Sequence, residues 1–363
     1  METLWFCVIA LLWLGYLFLE GFDFGVGMLL PVLGRSERER RVLINTIGPV
    51  WDGNEVWLLV AGGATFAAFP DWYASLFSSV YLPLVLFLLA LIGRGVAFEY
   101  RGKVDSARWR RTWDAVIVAG SWVAPLGVGL LLSATVFGMP LDAAGDRVGS
   151  PFASIRWETL LGAAAVAGYA LVHGAVFLSL KTEGEVRERA RALALKVAPV
   201  ALLPLLVLLL TVQLRFGSAW TWGASIVVAL AALGAYGRLV LRREGQAFAL
   251  MGVAVAATVA ALFGALYPNV LPSTLDPAWS LTVAGAASSP YTLTVMTWVA
   301  AFGTPAVLVY QGWTYWVFRK RIGTRHIPAV SVPSASAPSG SVSSGPASSG
   351  SVSSGPASSG QVP

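Results

Sequence analysis

The chain strings together nine long apolar runs, at about 4–33, 49–70, 73–98, 112–138, 158–180, 195–216, 219–241, 246–268 and 290–318, separated by short loops that hold most of its charge. A hydrocarbon core of about 30 Å is crossed by about 20 helical residues, and every backbone polar group inside it must be satisfied within the protein. That pattern predicts an all-α polytopic membrane protein with about nine transmembrane helices. Composition agrees, because 12% of residues are charged and 56% hydrophobic, against about 25% charged in soluble domains. Prolines inside the runs, such as Pro125 and Pro204, are tolerated where neighbouring helices or water satisfy the freed carbonyls. The first run begins at Leu4 without a basic leader and continues to Leu33, longer than the roughly 7–15 apolar residues of a signal peptide, and is expected to remain as a helix. The single cysteine, Cys7, excludes an intrachain disulfide and any cysteine-based metal site.

Loop charge sets the expected orientation. Arg35, Arg38, Arg40 and Arg41 follow the first run; Arg101, Lys103, Arg108, Arg110 and Arg111 follow the third; Lys181, Arg187, Arg189, Arg191 and Lys196 surround the fifth loop; Arg238, Arg242 and Arg243 follow the seventh run; and Arg319, Lys320, Arg321 and Arg325 follow the ninth. The intervening loops hold only Arg147, Arg156 and Arg215. Cytoplasmic loops carry the excess of Lys and Arg, so residues 1–325 are expected to form a membrane domain with its N-terminus outside and its C-terminus in the cytoplasm. The net charge of +6 therefore reports orientation rather than nucleic-acid binding. Residues 326–363 turn to Ser, Gly, Pro and Ala, with SVSSGPASSG at 341–350 and again at 351–360. This composition cannot bury enough apolar area to offset chain entropy and is expected to be a disordered cytoplasmic tail.

Within the spans the conspicuous residues are acids. LEGFDFGVGM places Glu20 and Asp23 on one face of the first helix, and WDGNEVW places Asp52 and Glu55 on one face of the second, since residues three apart are helical neighbours. A carboxylate at the membrane centre costs about 2.5–3.5 kcal/mol on an insertion scale, so these groups are expected to face protein or water. In the orientation above all four lie toward the cytoplasmic side, where Arg94 in the third run is a candidate counter-charge. A proton path from the cytoplasm and a structural polar lock between helices meet this pattern equally well, as does placement of Asp52 and Glu55 in the headgroup layer. Trp51 and Trp57 have an ordinary explanation in the preference of tryptophan for the interface, and Gly21 and Gly25 in close helix packing. Two histidines, His173 and His326, exclude a bis-histidine haem within the membrane and leave a His/Met or five-coordinate haem on His173 only as a formal alternative; His173 is expected to be a buried residue hydrogen-bonded across helices. Neither nucleotide-binding nor HExxH zinc motifs occur.

Several stretches together resemble subunit II of the cytochrome bd quinol oxidases: GFDFGVGMLLP at 21–31, RERRVLINTIGPVWDGNEVWLLVAGGATFAAFP at 38–70, RGVAFEYRGK at 94–103, WRRTWD at 109–114, LPSTLDPAWSLT at 271–282 and LTVMTWVA at 293–300. The resemblance runs from about Gly15 to Arg321. It implies two four-helix bundles plus a peripheral helix, in a heterodimer with a related subunit I that holds haems b and d and oxidises quinol while reducing dioxygen to water. No catalytic, cofactor-binding or metal-binding residue is then expected here, although a structural quinone is compatible with the family and no motif places one. The complex also admits small single-helix subunits, which no residue here places. By motif match Asp52 is implied in a proton pathway toward subunit I, with Glu55, Asp23 and Glu20 alongside it and Trp51, Asn54, Trp57 and Arg94 in support. Glu20 stands where other members carry aspartate and Glu55 where glutamine also occurs, so the match is weaker there. A proton-coupled transporter and a purely structural scaffold are the competing functions; the broken-helix repeats common in transporters are not evident.

Overall fold

The computed structural model describes residues 1–327. The repetitive tail expected over 326–363 lies, from residue 328 onward, outside the described residues. Among the described residues there are twelve α-helices, of which all but α2 account for the nine apolar runs: α1 (Glu2–Leu33), α2 (Glu37–Ile47), α3 (Trp51–Ala68), α4 (Pro70–Ser79), α5 (Tyr81–Tyr100), α6 (Ala107–Phe137), α7 (Trp157–Lys181), α8 (Gly184–Ala201), α9 (Leu203–Phe216), α10 (Ala219–Val240), α11 (Glu244–Leu266) and α12 (Pro290–Val317). Two short strands, β1 (Asn269–Leu271) and β2 (Leu281–Thr282), pair antiparallel before α12.

Local chemistry explains where the runs divide. Pro70 opens α4 at its first turn, and the residue before a proline is pushed out of helical geometry. The third run then breaks again at Val80, between α4 and α5. The sixth run is interrupted at Leu202, where Pro204 opens α9 without a backbone N–H to donate to the preceding turn. Two stretches depart from the apolar pattern. In short α2, Ser36 and Glu39 form a capping box at its start, and only one stripe, Val42, Leu43, Thr46 and Ile47, is buried. The first half of α8 carries Arg187, Arg189 and Arg191, so the charged stretch expected as a loop after α7 is helical from Gly184 onward.

Among the described residues eight helical segments are long and apolar enough to cross a membrane, α8 and α9 counting as one. The ninth expected span is α3, which falls short on hydropathy because its first turns carry Asp52, Asn54 and Glu55. Its 18 residues nevertheless reach about 27 Å, from the end of α2 to a hydrogen bond between the Ser288 N–H and the Ala68 carbonyl, 2.8 Å, beside the start of α12. Helices α1, α3, α5 and α6 pack as one group of four; α7, the α8–α9 pair, α10 and α11 pack as a second, joined to the first through α1, α6 and α7. Peripheral α12 buries only Leu293 fully.

The two ends of the bundle differ in charge. At one end Arg101 donates to Glu37 (2.9 and 3.0 Å) and to Asp114 (2.5 Å), Arg40 pairs with Asp114 (2.7 Å), Arg187 with Glu244 (2.7 Å), and Arg325 with Glu183 (2.8 Å). The Arg-rich segments that follow α1, α5, α7, α10 and α12 therefore meet at the same end. At the other end β1, β2 and the loop after α6 interlock, with the Met139 N–H donating to the Pro272 carbonyl at 2.9 Å.

Candidate functional site

Near the Arg-rich end α1, α3, α5 and α12 enclose a group of polar side chains inside an otherwise apolar core. Arg94 of α5 is fully buried, its guanidinium ion-paired with Glu20 of α1 and 3.9 Å from Glu55 of α3. Phe24 and Phe98 rings lie 4.9 and 5.1 Å from the guanidinium carbon, distances at which a cation is attracted to an aromatic face. Asp23, one turn along from Glu20 and equally buried, accepts a 2.7 Å hydrogen bond from the Asn54 amide.

Asn54 links this group to the peripheral helix. Its carbonyl accepts from the Tyr315 hydroxyl at 2.7 Å and from the Gln311 amide at 3.2 Å, while the Gln311 carbonyl accepts from the Trp57 indole N–H at 2.9 Å. An indole N–H can only donate. It fixes which way the Gln311 amide faces, and Gln311 and Tyr315 in turn fix Asn54, so that an N–H rather than an oxygen meets Asp23.

Several buried atoms in the cluster have no hydrogen-bond partner among the described residues: the Tyr16 hydroxyl, Glu20 Oε2, Asp23 Oδ1, and Arg94 Nε and Nη2. Buried polar groups are ordinarily satisfied by protein or by ordered water. Three carboxyl groups and one guanidinium thus lie together between these helices.

The structure thus brings together Glu20, Asp23, Asn54, Glu55 and Arg94. It does not bring Asp52 into the buried group. Asp52 is exposed on the first turn of α3 and makes no side-chain hydrogen bond or ion pair among the described residues. Glu55, its neighbour one turn on, is intermediate, with 22% of its side chain exposed. The two tryptophans are more than interface residues: Trp51 packs on Phe98 with ring centres 5.3 Å apart, and Trp57 holds Gln311 and covers Gly15. No motif in the sequence marks Gln311, Tyr315 or Tyr16 as part of this group. A glutamine inside the last apolar run was the available signal, since an uncharged amide in that position needs a partner.

His173 of α7 is buried, with Nε2 3.1 Å from the Phe18 carbonyl of α1, as expected for a histidine bonded across helices. Phe248 stacks on its ring at 4.8 Å and Tyr169 at 5.0 Å. His326 is exposed at the other extreme of the described chain, its Nδ1 accepting from the Gly323 N–H at 3.0 Å.

Residues 1–318 match the family model for cytochrome bd terminal oxidase subunit II. The chain belongs to that family. It is 42% identical over 328 residues to cytochrome bd ubiquinol oxidase subunit 2 of Bacillus subtilis, covering 89% of this chain and 97% of the relative. Against cytochrome bd-I ubiquinol oxidase subunit 2 of Escherichia coli K12 the identity is 34% over 362 residues, with 89% and 95% covered. The fold superposes on a chain of the bd oxidase of Geobacillus thermodenitrificans with a TM-score of 0.72 at 19% sequence identity, covering 88% of this chain and 99% of that one. This subunit II is therefore a multi-pass membrane protein, part of a quinol oxidase complex with subunit I, and an oxidoreductase by virtue of that complex. Membership removes the secondary transporter from consideration.

Proposed function

We propose that this subunit II both supports subunit I and delivers protons toward it, with the Arg-rich end of the bundle in the cytoplasm of a bacterial cell. Reduction of dioxygen to water takes up one proton for each electron, and drawing those protons from the cytoplasm while quinol releases its own outside would charge the membrane. In this proposal haems b and d, quinol oxidation and oxygen reduction belong to subunit I.

The single observation that carries the proton role is the gradient of burial from α3 through α5 to α1. Exposed Asp52 lies one turn from partly exposed Glu55, which lies 3.9 Å from the fully buried Arg94, which pairs with Glu20 beside Asp23. Ionisable residues within a membrane domain are costly and concentrate along ion and proton routes. Asp52 would gather protons at the surface, Glu55 would pass them inward, and Glu20 and Asp23 would hold them in the bundle, with Arg94 balancing their charge. Asn54 orients Asp23.

Replacing Asp52 by asparagine in the assembled oxidase tests the outer end of this route. Oxygen uptake with quinol is expected to fall several-fold, with haem content and subunit stoichiometry unchanged. Undiminished uptake would remove Asp52 from the path and leave this subunit as a scaffold.

A further inference from the structure

A pocket of about 370 Å³ opens at the Arg-rich end between α1, α7, α11 and α12. Its interior is aromatic: Phe22 and Phe177 stack with centres 4.1 Å apart, and Phe18 lies 5.3 Å from Phe248. Its mouth is cationic, formed by Lys181, Arg319 and Arg321.

The partners of these cations leave most of their charge in place. The Lys181 ammonium donates to the main-chain carbonyls of Phe318 and Lys320. Arg319 donates to the Trp316 carbonyl at 2.6 Å, with its guanidinium 4.4 Å over the Trp316 ring. Neither group has a carboxylate within ion-pair distance among the described residues. Arg321 approaches Glu244 only to 3.9 Å, and Glu244 is already paired with Arg187 at 2.7 Å. An apolar slot with an uncompensated positive rim thus sits at the end of a membrane bundle, where lipid headgroups meet water.

We propose that this pocket binds an anionic phospholipid, one acyl chain among the phenylalanines and the phosphate at Lys181, Arg319 and Arg321. Charge and shape select this occupant together. A zwitterionic lipid carries its own cation to the rim, a free anion leaves the aromatic slot unfilled, and a purely apolar molecule leaves the rim uncompensated. Basic pockets between transmembrane helices are suited to acidic headgroups, each nearby Lys or Arg adding to the attraction. Tyr315, which lines the pocket and hydrogen-bonds Asn54, places the lipid one side chain away from the acid cluster.

The test uses the whole oxidase complex, delipidated and placed in nanodiscs of phosphatidylglycerol and phosphatidylcholine, with retained lipid counted by native mass spectrometry after extraction. The unmodified complex is expected to retain phosphatidylglycerol about tenfold in preference to phosphatidylcholine at one site. The K181Q/R319Q/R321Q complex is expected to lose that preference while keeping its haem content. Should that variant fail to assemble, Leu180→Trp, which narrows the slot and leaves the rim intact, is expected to reduce retention several-fold. Equal retention of the two lipids by the unmodified complex would overturn the proposal, as would a preference that survives both the rim and the slot substitutions. Recovery of a quinone or a peptide from the pocket in place of lipid would overturn it too.

Discussion

At the scale of single residues the site rests on directional hydrogen bonds. Trp57, Gln311 and Asn54 hand donors one to the next until an amide N–H reaches Asp23. Replacing Gln311 by leucine leaves the Trp57 N–H without its acceptor and lets the Asn54 amide lose one of its two restraints. Stranding a buried polar group costs about 1–3 kcal/mol. Thermal unfolding of the purified complex should therefore start several degrees lower, and an unchanged transition would mean the link does not form. Arg94 is more sensitive. Its removal as Arg94→Leu leaves Glu20 buried without a counter-charge, a change that costs about 3–5 kcal/mol in proteins generally. Little assembled complex is expected in membranes, whereas the double replacement Arg94→Leu with Glu20→Leu should recover much of it. Failure of the double replacement to rescue would show that Arg94 serves more than Glu20, with Glu55 and Asp23 the next partners to examine.

At the scale of helices the boundaries were largely legible, because length and apolar content alone decide which segments can cross a bilayer. Less legible was the division of two runs at Val80 and Leu202: Pro204 is visible in the sequence, but a proline within an apolar run is as compatible with a tolerated kink as with the break it makes here. The sequence also hid the contribution of α12. Gln311 and Tyr315 lie 257 and 261 residues from Asn54, and spacing along a chain carries no information about partners so distant. The acids could be found because their cost in a membrane marks them individually. Their division into a buried group and an exposed Asp52 could not, since residues three apart on one helix face differ in depth only through their neighbours. Close packing of α1 against α7 offers a separate test. Gly25 meets the Ala170 carbonyl and the Gly174 backbone where a Cβ would stand, so neither helix can shift cheaply to make room. Gly25→Leu is expected to abolish assembly, read as loss of the haem spectrum of the membranes. Gly53→Ala, at a position with open space around it, should assemble normally; equal behaviour of the two would refute the tight contact.

At the scale of the whole molecule the bundle has a polarity that local structure alone does not demand. Ion pairs gather five Arg-rich segments at one end, and the acid cluster opens toward that same end through Glu55 and Asp52. Under the proposed orientation and proton role, this end is the cytoplasmic side from which protons would be drawn. Vectorial proton uptake would then follow from how the helices were inserted, without any moving part in this subunit. The most direct test is proton uptake from the side of the Arg-rich loops during quinol-driven oxygen reduction, in vesicles carrying the complete oxidase, with Asp23→Asn compared against the unmodified complex. Asparagine keeps the shape of Asp23 and can still accept from Asn54, but it cannot carry a proton. The expected result is a fall on the order of tenfold in proton uptake and oxygen reduction together, a barrier increase of about 1.4 kcal/mol, with haem content unchanged. Uptake at the unmodified rate would contradict a proton route through the buried cluster.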